Sequence, residues 1–168
     1  MIPNDKYYDK NYNGSWNGLT IISIAIGQGE VTATPLQIAN LSATIANRGY
    51  FITPHVVKEV EDEPLDTSYS NKRYTKVRKE HYETVVQGMR AAVTGGTCRA
   101  ANLPGLDVCG KTGTAQNRGK DHSAFMGFAP MDNPKIAVSV YVENGGWGAT
   151  YGVPIGALII EKYLNGKL

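Results

Sequence analysis

The chain has 168 residues, 42% hydrophobic and 19% charged, and 17 Lys+Arg against 15 Asp+Glu leave a net charge of +2. That length fits one ordinary domain burying roughly 70% of its unfolded surface, and the composition is too apolar for a disordered segment. So small a charge excludes strong attraction to nucleic acid or anionic lipid, and the longest apolar runs, residues 19–26 and 153–160, fall far short of the ~20 residues that span a bilayer.

Residues 1–18 hold Tyr7, Tyr8, Tyr12 and Trp16 among several Asn and Gly, and read as an irregular lead-in. The apolar run 19–26 is closed by Gly27-Gln28-Gly29, where glycine permits a positive-φ turn. Thr34-Pro35 then opens a helix, Thr as the cap and Pro at the first helical position. Leu36, Ile38, Ala39, Leu41, Ile45 and Ala46 give that helix a broad apolar face, and Gly49 suits its C-terminal cap. A strand is expected at 55–60. Residues 61–79 are polar and without periodicity, which marks a surface excursion.

Helical spacing returns with Val85, Val86, Met89 and Val93, ended by Thr94-Gly95-Gly96. The last third predicts strands at 107–115, 124–129 and 135–142. Ile136, Val138, Val140 and Val142 alternate with smaller or polar residues, the period of a half-buried strand. Asp132-Asn133-Pro134 is turn chemistry between the last two strands. A glycine-rich loop, 144–152, leads to a final helix that Pro154 starts and Asn165-Gly166 ends, with Leu158, Ile159 and Tyr163 expected in the core. The fold class is α+β: an antiparallel sheet covered by helices.

Cys98 and Cys109 are too few for a disulfide scaffold, lack CxxC spacing, and read as unpaired, partly buried thiols. His55, His81 and His122 have no second ligand at metal-binding spacing, so neither metal nor cofactor is assigned. Asp121-His122 reads as a solvated pair. Trp147 and Tyr151 are expected to pack locally within their glycine-rich loop, with peptide contact as the alternative.

One segment carries chemistry. Gly105-Leu106-Asp107-Val108-Cys109-Gly110-Lys111-Thr112-Gly113-Thr114 satisfies the P-loop pattern GxxxxGK[ST]. A P-loop must follow a strand and open a helix whose N-terminus holds phosphate. Asn102-Leu103-Pro104 makes a poor strand, and Gly113 and Gly119 interrupt any helix after Lys111. Residues 116–123 are also too short for a parallel crossover. Antiparallel pairing is expected, which leaves a P-loop nucleotide hydrolase as a remote alternative. Read otherwise, Lys111-Thr112-Gly113 is the K-T-G element of penicillin-interacting serine acyl-transferases.

The surroundings of that tripeptide carry a resemblance. Gly110-Lys111-Thr112-Gly113-Thr114-Ala115-Gln116, Ser123-Ala124-Phe125-Met126-Gly127-Phe128-Ala129-Pro130, Gly27-Gln28-Gly29 with Thr32-Ala33-Thr34-Pro35-Leu36-Gln37, and Ala46-Asn47-Arg48-Gly49 together resemble the transpeptidase domain of class B penicillin-binding proteins, of the penicillin-binding protein 2 type. The resemblance runs from about Tyr7 to Leu168 and implies the serine transpeptidase/β-lactamase-like fold. It further implies a peptidoglycan D,D-transpeptidase that cross-links stem peptides and binds β-lactams. That protein would act at the outer face of a bacterial cytoplasmic membrane, with cell-wall elongation proteins as possible partners.

By the same resemblance, Lys111 and Thr112 receive the terminal carboxylate of a D-Ala-D-Ala stem peptide or a β-lactam. The Thr114 N–H supplies one oxyanion donor. Gly113 lets an extended substrate lie along the strand edge. The departures are as informative. None of the seven serines (15, 23, 42, 68, 70, 123, 139) has Lys three residues on, so the S-x-x-K nucleophile is absent from these residues. Ser15-Trp16-Asn17 matches S-x-N only formally and reads as a turn. Residues 1–168 are therefore expected to be the C-terminal part of a transpeptidase domain, without its nucleophile and N-terminal membrane anchor. Such a part is expected to be inactive alone and to expose an apolar patch. The alternative is a non-catalytic sensor or scaffold on the same fold.

Overall fold

The computed structural model describes residues 1–60 and 66–166, in two compact units, Met1–Thr34 and Pro35–Leu168. The first unit corrects the irregular lead-in. Helix α1 (Asp5–Tyr12) is capped by Asn4, whose Oδ1 accepts from Tyr7 N at 3.0 Å, and ends on left-handed Asn13. Helix α2 (Gly18–Ala25) is capped by Asn17. The formal S-x-N match thus ends in a helix cap, with extended backbone at Asn17 in place of the expected turn. A polar cap and ring packing build α1, and an Asn17–Thr20 capping box starts α2. Tyr8 is buried against Trp16 with ring centroids 5.3 Å apart. The Tyr8 and Tyr12 hydroxyls both donate to Glu30, and the Tyr12 bond first of all holds the Glu30 carboxyl below its usual range. Helix α2 buries none of its residues.

The second unit is built on a three-stranded antiparallel sheet in the order β3 (Cys109–Ala115), β4 (His122–Ala129), β5 (Ile136–Val142), the expected meander. Helix α3 (Pro35–Ala46) and helix α4 (Lys79–Thr94) seal one face, where Ile45, Ala46, Tyr82, Val86 and Met89 meet Cys109 and Phe128. Helix α5 (Gly152–Leu164) covers the other, where Val153, Ala157 and Ile160 meet Phe125, Val138 and Val140. Pleating explains the division, because alternate residues of each strand face opposite helices.

Phe125 is the tightest point of this core. Cβ atoms built on Gly110, Gly127 and Gly156 would stand 2.5, 2.7 and 2.3 Å from its ring. Gly110 and Gly127 are register partners, so the ring occupies a slot that two strands and a helix keep free of side chains. The same packing selects the buried stripe of α5. Its residues are Gly152, Val153, Gly156, Ala157 and Ile160, a three- and four-residue spacing. Leu158, Ile159 and Tyr163, expected in the core, are 53%, 38% and 50% exposed. Val85, Leu36 and Leu41 are likewise solvent-facing members of stretches whose apolar spacing is wider than the contact the sheet accepts.

The expected strand at 55–60 is corrected. The strand is β1 (Tyr50–Phe51), paired with β2 (Arg73–Tyr74) inside the polar excursion, Tyr50 opposite Tyr74. Pro54, immediately before the expected strand, has no N–H to offer a ladder, and Val56 is fully exposed. Residues 61–65 of that excursion lie outside the described residues. Gly49 does end the α3 segment, at φ +112° with its N–H on Thr44 O. Both thiols are free, and they are fully rather than partly buried.

Candidate functional site: the K-T-G strand

β3 pairs only with β4 among the described strands, so it forms one edge of the sheet. Its pleat sends Cys109, Lys111 and Gly113 to the face that carries Phe128, Met126 and Ala124, their register partners. That face is sealed at Cys109 and Phe128, both 0% exposed, and opens two residues later at exposed Lys111. The opening continues across the sheet to Tyr141, which is 48% exposed and lies beside Ala124 in register. The Lys111 ammonium donates to Thr112 O at 2.9 Å, which keeps it against its own strand.

Thr112 and Thr114 belong to the opposite pleat, and each hydroxyl meets a neighbouring segment. Thr112 Oγ1 lies 2.8 Å from Thr97 Oγ1 in the turn after α4. Thr114 Oγ1 accepts from Gly148 N at 3.2 Å. A Cβ on Gly148 would lie 2.5 Å from Gly113 O and 2.7 Å from Ala124 O, so only glycine lets the 144–151 loop close onto β3 and β4. Ser123, fully buried and opposite Thr114, donates to Trp147 O and accepts from Gly152 N, both at 3.0 Å. This one hydroxyl fixes both the loop and the start of α5.

Asp121 and His122 are not a merely solvated pair. Asp121 O accepts from Gly146 N at 2.6 Å, and His122 Nδ1 accepts from Asn144 N at 3.0 Å. They hold the other end of the same loop. Trp147 and Tyr151 do not pack into it; they are 74% and 47% exposed beside the strand. Beneath the strand, burial raises both thiols, Cys98 above its ordinary value and Cys109 to about 11.

The arrangement also decides the P-loop match. Gly110, Lys111 and Thr112 lie inside an extended strand that runs to Ala115, with no helix after Lys111 to hold phosphate. Gly110 serves the Phe125 slot, not a phosphate cradle. Thr97, Gly148 and Ser123 are the parts of this site that sequence reasoning missed. The lone signal for Ser123 was a small polar residue opening an otherwise apolar segment, and Thr97 gave none.

The family described as "Penicillin binding protein transpeptidase domain" matches residues 5–163. The chain is 33% identical to the peptidoglycan D,D-transpeptidase MrdA of Haemophilus influenzae, over 99% of this chain and 29% of that protein. Among solved structures, Pseudomonas aeruginosa PBP2 in complex with WCK 5153 superposes with a TM-score of 0.80 at 35% identity, covering 99% of this chain and 38% of that one. Penicillin-binding protein PBP2 of Helicobacter pylori in complex with MreC gives 0.78 at 27% identity, with 100% of this chain and 31% of that one covered. The chain therefore spans about a third of the length of these relatives. With nearly all of its residues inside that match, and with the K-T-G strand on the edge of its sheet, the chain belongs to the penicillin-binding protein transpeptidase family.

Proposed function

We propose that residues 1–168 form the C-terminal part of a peptidoglycan D,D-transpeptidase domain and supply the K-T-G wall of its acyl-transfer site. One observation carries this reading: a sheet face sealed at Cys109 opens at Lys111, on an edge strand, where a chain can lie alongside. In it, the Lys111 ammonium and the Thr112 hydroxyl receive the terminal carboxylate of a D-Ala-D-Ala stem peptide or of a β-lactam. A charge-assisted hydrogen bond of this kind is worth about 1.5–3 kcal/mol. The Thr114 N–H is one donor to the oxyanion of the tetrahedral intermediate, where a single positioned donor accounts for about 100- to 1,000-fold in rate. Gly113 carries no side chain, so an extended substrate can approach the strand edge.

The chemistry is serine-type acyl transfer, with the nucleophile and its lysine base supplied from outside these residues, since no S-x-x-K occurs among them. Alone, the 168 residues are inactive. The working protein acts on the outer face of the cytoplasmic membrane. A cell-wall elongation protein is its partner, a proposal supported by the MreC complex of the Helicobacter relative.

The deciding experiment labels the product of the complete gene and the 168-residue chain with a fluorescent penicillin. A stoichiometric, hydroxylamine-sensitive adduct on the complete product, and none on the chain, is expected. The absence of S-x-x-K here also suits a non-catalytic sensor on this fold, and a complete product that binds muropeptide without acylation would establish that reading instead.

A further inference from the structure

Thr97 lies outside every motif of the chain, yet its hydroxyl is 2.8 Å from that of Thr112. Its position is fixed from both sides. Gly96 packs on the last turn of α4, where a Cβ would stand 2.8 Å from Ala92 Cα, and its N–H reaches Ala92 O at 3.1 Å. Cys98 on the other side is fully buried, with its N–H on the same Ala92 carbonyl at 2.9 Å. Thr97 itself is exposed, and besides Thr112 its side chain hydrogen-bonds the buried Cys98 thiol, opposing the larger upward effect of burial on that thiol.

Either hydroxyl can donate in this pair, and valence fixes the direction once a carboxylate is bound. A hydroxyl has one proton to give and lone pairs to receive. A carboxylate has no proton, so Thr112 can hold it only by giving its own. When Thr112 gives that proton to a carboxylate, the contact with Thr97 survives only if Thr97 donates to Thr112 Oγ1. The relay Thr97 O–H to Thr112 O–H to carboxylate then strengthens both links, as chained hydrogen bonds do. The Thr97 hydroxyl also selects the Thr112 rotamer that aims the proton.

From this geometry we propose that Thr97 is a positioning residue of the carboxylate site, the donor that orients and polarises the Thr112 hydroxyl. The role rests on the reading of Lys111 and Thr112 given above. It concerns a residue that does not itself touch the carboxylate.

The test uses the 168-residue chain, with Thr97→Val, which keeps the shape and loses the hydroxyl, and Thr97→Ser, which keeps the hydroxyl. Three-bond couplings to the Thr112 methyl carbon report its χ1 rotamer without ligand. Amide shifts of Lys111 and Thr112 report titration with N-acetyl-D-Ala-D-Ala. In wild type and Thr97→Ser one Thr112 rotamer is expected; in Thr97→Val the couplings average. The dipeptide Kd is expected to rise about 2- to 10-fold in Thr97→Val, the worth of one neutral hydrogen bond, and to recover in Thr97→Ser with melting unchanged throughout.

A single Thr112 rotamer in Thr97→Val overturns the proposal, as does an averaged rotamer with unchanged Kd. A fall in melting temperature with unchanged Kd marks Thr97 as structural and also overturns it. If the dipeptide moves no wild-type resonance up to its solubility limit, the carboxylate reading fails and this role fails with it. The ligand-free couplings still separate that outcome from a missing Thr97–Thr112 contact.

Discussion

The two ends of one sheet face make the most instructive contrast in the molecule. At one end Cys109 and Phe128 are fully excluded from water by α3 and α4, and Ser42 Oγ donates to Gly127 O at 2.8 Å. Two residues further along the same strand, Lys111 is exposed, Gly113 has no side chain, and Tyr141 is half exposed. Secondary structure does not change between them; the covering layer does. A strand with one end buried for rigidity and the other left open can hold functional groups still while a ligand reaches them.

Substitutions should therefore separate the two ends. The largest stability effect belongs to the sealed core. Phe125→Ala empties the slot made by Gly110, Gly127 and Gly156 and is expected to destabilise the chain by about 3–5 kcal/mol, read by urea unfolding. A loss below about 1 kcal/mol would mean that the slot collapses freely and the glycines have another reason.

Lys111→Ala should do the reverse. In the complete gene product, β-lactam acylation is expected to slow roughly 10- to 100-fold, while stability stays within about 0.5 kcal/mol of wild type. Lys111→Arg should retain part of the rate, since the charge persists while its geometry changes. Unchanged acylation in Lys111→Ala, or a clear fall in its melting temperature, would erase the distinction between the two ends.

Ser123 lies level with the open end but on the other face, where its buried hydroxyl serves both the Trp147 loop and the start of α5. Ser123→Ala leaves the Gly152 N–H without that acceptor and is expected to cost about 1–3 kcal/mol. Amide exchange should quicken first in residues 144–152; uniform quickening across the sheet would argue against a local hinge role.

The smallest effect is a pH dependence at the sealed end. Burial favours the neutral Cys109 thiol and raises it from 9.0 to about 11. The associated stabilisation is complete below pH 9 and is lost as pH rises through about 11. Alkylation by iodoacetamide at pH 8 should accordingly be far slower in the folded chain than in urea, while Cys109→Ala should flatten the alkaline limb of the stability curve. Rapid native alkylation of Cys109 would show that this end is not sealed.

Much of the architecture was legible because local rules and tertiary contacts agree. The period-two alternation of 136–142, the Thr34-Pro35 helix start and the Asp132-Asn133-Pro134 turn reappear as β5, α3 and the β4–β5 connection. The short 116–123 link required antiparallel pairing, which dismissed the P-loop pattern on backbone geometry alone. Lys111, Thr112, Gly113 and Thr114 stand on one strand as the motif implied.

What failed were inferences from apolar content without a partner surface. Leu158, Ile159 and Tyr163 are as hydrophobic as the residues that α5 buries, but the contact admits only a narrow stripe, and Gly156 rather than a large side chain makes room for Phe125. Helix α1 was hidden because an asparagine cap and tyrosine stacking build it, and α2 because it is eight residues opened by an asparagine cap with no buried face. The pairing of β1 with β2 was invisible because each strand is two residues long and the partners are distant in sequence.

The chain by itself determined the elements whose causes are local: periodicity, caps, turns and the K-T-G tripeptide. Only the tertiary structure decided which apolar residues are buried, where the sheet face opens, and that Thr97 and Gly148 meet the Thr112 and Thr114 hydroxyls. Those contacts join segments 15 and 34 residues apart, and no pattern along the chain encodes a distance across it.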